Sequence, residues 1–151
     1  MTQSLENDAQ QLFALLFGIV LEGEKRLAEH LTAHDLSAPQ FYVLKTLSEH
    51  DGRMAIGEIA RQHGLTNATM TGIIKRMEAS SVPLVARESN ASDRRGVDVL
   101  LLPAGRLRLD AVQKAIIDQL RTVFSLFPED ERARLLTELN HYMGLVLATG
   151  R

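Results

Sequence analysis

Between Thr66 and Arg76 the chain places three threonines, an asparagine and two adjacent cations within one helical stretch. Asn67, Thr69, Thr71, Lys75 and Arg76 fall on the outward side if Met70 and Ile73 face inward. Small polar side chains at the start of a helix come close to phosphates and base edges. A threonine methyl meets a thymine methyl, and an asparagine pairs with adenine through two hydrogen bonds. Thr66 suits the N-cap. Lys75 and Arg76 lie a turn or two further on, where such a helix would meet the sugar–phosphate backbone. Plain surface filling is the alternative, but threonine is a poor helix former to use for that. A second pair of cations, Arg94 and Arg95, sits in a polar loop with Ser92, Asp93 and Gly96. Guanidinium groups at a loop tip suit a narrow, electronegative minor groove. Asp93 is unfavourable against phosphate itself and would instead orient one of the arginines. A solvated loop with an incidental charge pair is the alternative there.

Other chemistries fare less well. The chain has no cysteine, which excludes disulfides, thiol nucleophiles, thiol redox sensing and thiolate metal sites. No glycine-rich phosphate loop, carboxylate pair or Ser/His/Asp arrangement suggests catalysis, so neither enzyme activity nor a cofactor is expected. His30 and His34 are spaced i,i+4 with Glu24 and Glu29 nearby, and His141 lies far downstream. Imidazole plus carboxylate suits zinc, which makes a zinc-responsive protein one alternative. His34 is expected past the end of its helix, however, so the pair need not converge, and no metal site is assigned.

The elements that must hold these groups are mostly helices. Ile56–Lys75 meets the demands of two helices joined by a tight turn: Ala60 where they touch, Gly64 for the turn, and Ile59, Leu65, Met70 and Ile73 to fill the angle. His63 stands where an apolar residue would be usual. Helices are expected over 56–63 and 67–80, and strands over 84–87 and 97–101, with Glu88–Gly96 as the tip of a β-ribbon. Val97, Val99 and Leu101 alternate with Asp98 and Leu100. Upstream, a long helix over 5–32 is apolar on more than one face. Ser37 and Pro39 open the next helix, and Asp51-Gly52 ends it. Downstream come helices over 103–126 and 129–148, separated by Pro128. Three helices followed by a ribbon make a winged helix. A winged helix used only for protein contacts would not need Lys75, Arg76, Arg94 and Arg95 together.

The 151 residues suit one domain, and 45% apolar with 24% charged residues is ordinary for a globular chain. Net charge is −2. Residues 61–108 nevertheless hold eight basic against four acidic side chains, +4, and the remainder carries −6. The positive charge thus coincides with the helix pair and the ribbon, the polarity expected of a molecule that approaches a duplex with one side. The longest apolar run, Leu12–Leu21, is about half of the roughly 20 residues that a membrane span requires. Thr2–Gln11 holds acids and no cation, unlike a secretory signal. The expectation is a cytoplasmic protein without a membrane partner.

These residues carry a resemblance. From Leu65 to Arg106 the chain resembles the MarR family of bacterial winged helix-turn-helix regulators. Thr69-Met70-Thr71 and Ile73–Glu78 match the family's recognition helix, Asp93 and Arg95 its Asp-x-Arg wing signature, and Leu101–Gly105 its Leu-Thr-x-x-Gly segment except at Leu102. Ser81 stands where the family usually has glycine, and Val82-Pro83 are extra before the first wing strand, which alters the exit from the recognition helix. The resemblance implies a single domain over 1–151: a DNA-binding lobe over about 37–102, and dimerisation helices over about 5–32 and 103–148. It implies a homodimer, most simply a repressor, bound to a pseudo-palindromic site in double-stranded DNA and released by a small, often aromatic, molecule. Thr66, Asn67, Thr69, Thr71, Lys75, Arg76, Arg94 and Arg95 would bind DNA, supported by Asp93. Phe17, His30, Phe41, Tyr42 and Arg53 are candidates for the effector site.

Overall fold

A computed structural model describes residues 2–93 and 95–150, without the side chains of Thr2 and Gln3. The elements run α1 (Thr2–Ala33), α2 (Ala38–Glu49), β1 (Arg53–Ala55), α3 (Ile56–Gln62), α4 (Asn67–Glu78), β2 (Val85–Ser89), β3 (Val97–Leu101), α5 (Pro103–Phe124) and α6 (Glu129–Thr149). The chain divides into two compact units between Gln113 and Lys114, within α5.

In the first unit, Ser37 caps α2 in a capping box. Its hydroxyl accepts the Gln40 N–H while the Gln40 side chain accepts the Ser37 N–H. The turn after α2 puts both Asp51 and Gly52 at positive φ. It delivers the chain into β1, a strand absent from the sequence reading. β3 is the central strand of an antiparallel sheet ordered β1-β3-β2, with Met54 opposite Val99 and Arg87 opposite Val99 on the other side. Leu44, Leu47, Ile59, Met70, Ile74, Met77, Leu84 and Val99 are fully buried and form the core between helices and sheet. Gly105 lets the start of α5 press onto this core. A Cβ there would collide with the Leu84 carbonyl oxygen and come within 2.9 Å of Leu101 Cδ1. α1 contributes Leu31, 3% exposed, near its end; Phe13 and Phe17 stack on each other in the open.

In the second unit α6 begins with Glu129, Asp130 and Glu131, which favour the positive end of the helix dipole. Arg132 donates to the Phe127 carbonyl at 2.7 Å, closing the turn before α6. No described residue of α6 is buried.

Candidate nucleic-acid interface

The two central helices meet as the pattern requires, with one exception. Ala60 is buried at the contact, its carbonyl accepting the Leu65 N–H at 2.9 Å, and Gly64 turns the chain at φ +65°. Leu65, expected to fill the angle, is 38% exposed instead; the turn carries it outside the core. His63, at the end of α3, packs against α2 instead. Its Nε2 shares a 2.8 Å hydrogen bond with Thr46 Oγ1 of α2, and its ring lies beside Tyr42. Burial lowers the pKa of His63 below its ordinary value of 6.5, so the neutral ring is the form that fits.

α4 starts where Thr66 Oγ1 accepts the Thr69 N–H at 3.2 Å. Met70, Ile73, Ile74 and Met77 are buried, while Asn67, Thr69, Lys75 and Arg76 are exposed and Thr71 is half-buried. The Asn67 amide leans back towards Gly57 at the start of α3, and the Arg76 guanidinium lies along α4 over Gly72. Thr69, Gly72 and Arg76 therefore form one open face, with only the thin glycine between the two side chains. At the far end of α4, Leu84 closes back onto the helix through its N–H to the Met77 carbonyl, 3.2 Å. Arg87 of β2 pairs with Glu78. These two links set the exit of the chain from α4 across Ser81, Val82 and Pro83.

β2 runs 85–89, not the expected 84–87, which leaves a shorter ribbon tip. Asn90 N–H donates to the Gly96 carbonyl at 3.0 Å, and Gly96 N–H to the Asp93 carbonyl at 2.9 Å. Asp93 Oδ1 accepts the backbone N–H of Arg95 at 2.9 Å, so this acid acts on the arginine through its main chain. The Arg95 side chain is exposed. Arg94 lies outside the described residues.

Of the effector candidates, Phe41 and Tyr42 of α2 lie together, their ring centroids 5.9 Å apart. Phe41 is buried in the core, and Phe17 stacks on Phe13 along α1. Arg53 is held by Asp98 at 2.8 Å and Glu88 at 2.9 Å; hydrogen bonding to Asp98 first, against a desolvation penalty, raises its pKa. Tyr42 lines a mostly apolar groove of about 490 Å³ between α1 and α2, with Glu24, Leu27, Leu31, Thr32 and Leu36. Past the end of α1, His34 turns its Nδ1–H onto the His30 carbonyl at 2.8 Å. Among the described residues no group of three or more His, Asp or Glu is placed to hold a metal ion. Sequence reasoning missed β1 and the burial of Asp98, which alternates with Val97 and Val99 in 97–101. A carboxylate inside an otherwise apolar strand was the available signal.

A helix-turn-helix with a basic, polar second helix beside an arginine-tipped ribbon defines a winged-helix DNA-binding protein. The model of the MarR family matches residues 36–97. Over 118 residues the chain is 35% identical to the uncharacterized HTH-type transcriptional regulator YsmB of Bacillus subtilis, covering 76% of this chain and 79% of that one. It is 28% identical to the HTH-type transcriptional repressor MdtR of the same organism, covering 75% and 71%. A MarR family protein from Bacillus stearothermophilus superposes with a TM-score of 0.80 at 29% identity, over 92% of this chain and 97% of that one. The chain belongs to the MarR family of transcriptional regulators and is not an enzyme. No described helix is long and apolar enough to cross a membrane.

Proposed function

We propose that the protein is a homodimeric, cytoplasmic repressor that reads a pseudo-palindromic operator and releases it on binding a small molecule. The observation that carries the DNA reading is the two-sidedness of α4. Four apolar residues anchor it in the core, while Asn67, Thr69, Lys75 and Arg76 stand exposed on the other side. In this reading those groups, with Thr66 and Thr71, enter the major groove, and Arg94 and Arg95 reach the neighbouring minor groove. Dimerisation is supported by the apolar surface of α1 and α6: Phe13 is 71% exposed, Ile19 64% and Met143 50%. Such stripes exceed an ordinary monomer's apolar patch. Two-fold symmetry then sets half-sites about one helical turn, roughly 10 bp, apart. The repressor sign draws support from MdtR, which is named a repressor.

The groove between α1 and α2 supports a ligand site, its volume falling within the usual range for small molecules. Among the described residues that line it, Glu24 is the one charged group, which favours a neutral or cationic aromatic compound over an anion. To release DNA the ligand must bind the two dimer states unequally.

Fluorescence anisotropy with the intergenic DNA upstream of the protein's own gene tests the reading. Binding should weaken steeply with salt, and Arg95→Ala should reduce the log–log slope by about 0.9, the share of one phosphate contact. Unchanged affinity and slope in Arg95→Ala would refute the wing contact. Sedimentation of the dilute protein as a 16.8 kDa monomer would refute the dimer.

A further inference from the structure

Asp98 occupies the central strand of the sheet and is 8% exposed. A buried carboxylate is tolerated only when its oxygens are paired, and an apolar residue of similar size commonly serves a core as well or better. Both oxygens of Asp98 are engaged. Oδ2 accepts Arg53 Nε at 2.8 Å, and Oδ1 accepts Asn90 Nδ2 at 3.0 Å. Arg53 continues across the sheet and donates through its Nη1 to Glu88 Oε2 at 2.9 Å, so β1 and β2 are clasped over β3. Asn90 continues outwards. Its side-chain oxygen accepts the Ser92 N–H at 2.9 Å and the Ser92 hydroxyl at 2.7 Å. The next residue, Asp93, holds the Arg95 backbone. Hydrogen bonds thus run from Arg53 in β1 through Asp98 and Asn90 into the turn that carries Arg95.

We infer that Asp98 and Asn90 are positioning residues for the wing, fixing the angle of the Arg95-bearing tip and so supporting DNA affinity without touching DNA. The inference rests on the wing reading above. It explains an acid in a strand otherwise made of Val and Leu: a carboxylate offers one oxygen to the arginine and the other to the amide, and its charge matches the guanidinium. It also gives Arg53 a role unlike that of an effector ligand, since its guanidinium is already committed at two of its nitrogens to Asp98 and Glu88.

The test is anisotropy on the same DNA with the full chain, using Asn90→Ala, Asn90→Asp, Arg95→Ala and the double variant Asn90→Ala/Arg95→Ala, each also followed by thermal unfolding. Asn90→Ala should weaken binding roughly three- to tenfold with a thermal midpoint near wild type, and should add little in the Arg95→Ala background. Asn90→Asp keeps the acceptor for Ser92 but sets a carboxylate against Asp98, so it should bind as weakly as Asn90→Ala at neutral pH. If Arg95→Ala weakens binding while Asn90→Ala or Asn90→Asp binds like wild type, the positioning role is wrong and the wing contact stands. Additive losses in the double variant would equally overturn it. Wild-type affinity in Arg95→Ala would remove the wing contact and the positioning role together.

Discussion

The winged lobe and the last helix carry similar apolar residues and treat them in opposite ways. In the lobe, Leu44, Leu47, Ile59, Met70, Ile74 and Met77 are fully buried within the chain itself. In α6, Leu135, Leu136, Leu139, Met143 and Val146 are all between 41% and 50% exposed. The lobe therefore satisfies its own hydrophobic demand, whereas α6 leaves its apolar residues exposed, as the proposed dimer would require. Stability of the first is a property of one chain. Stability contributed by the second would depend on protein concentration.

Paired truncations should give the largest contrast. Ile74→Ala should cost about 2–5 kcal/mol of unfolding free energy, through lost transfer and a cavity. Leu139→Ala should leave the lobe's hydrogen-exchange protection intact and shift self-association instead, read by sedimentation across a dilution series. Equal loss of lobe protection in both variants would break the contrast. A smaller effect, again confined to the lobe, is expected at Gly105. The added methyl of Gly105→Ala meets backbone at Leu84, which cannot swing away, and overpacking of this kind costs about 1–3 kcal/mol. An alanine at Gly144 of α6, where nothing lies within 4 Å, should not destabilise. A destabilised Gly144→Ala at low concentration would show that α6 is packed within the single chain after all.

The smallest expected effect separates the regions by pH. The folded lobe holds His63 at a lowered pKa, so the unfolded chain takes up a proton more readily. The stabilisation is present above the unfolded value near 6.5 and is lost as pH falls from there towards the folded value. Denaturant titrations between pH 7.5 and 5.5 should show this loss in the wild type and a shallower one in His63→Gln. Identical pH profiles would mean that the ring at the Thr46 contact is not what titrates.

Most of the fold was legible because its signals were local. Ser37 and Thr66 cap helices, Gly64 makes the turn, and Val97–Leu101 is a strand with the bounds its alternation suggested. What failed depended on partners distant in the chain. β1 is three residues long, too short for any periodicity, and exists because Met54 finds Val99. β2 extends through Glu88 and Ser89, which look like loop residues until β3 pairs with them and leaves their side chains in solvent. The alternation in 97–101 does not say what Asp98 meets, and Arg53 with Asn90 supplies a polar lining for it. Leu65 fits the apolar pattern by type, yet the conformation of the turn carries it outwards. Of the candidate interface, the residues of α4 were readable from spacing. The links that hold the ribbon, Arg87–Glu78 and the Asp98 cluster, were not, since ion pairs between separate elements leave no periodic trace.

The pairing of β1 with β3 also bears on the order in which the molecule is made. Met54 precedes the helix-turn-helix and Val99 follows it, so the sheet's first strand leaves the ribosome long before its partner exists. Loop closure over the whole intervening segment has to be overcome before that ladder forms, which favours slow, late acquisition of structure. A nascent chain halted before Val97 would hold both central helices and β2 and still lack β3, the strand that pairs with both β1 and β2. The helix pair and the ribbon therefore complete their packing together, near the end of the lobe's synthesis, when β3 arrives to join β1 to β2.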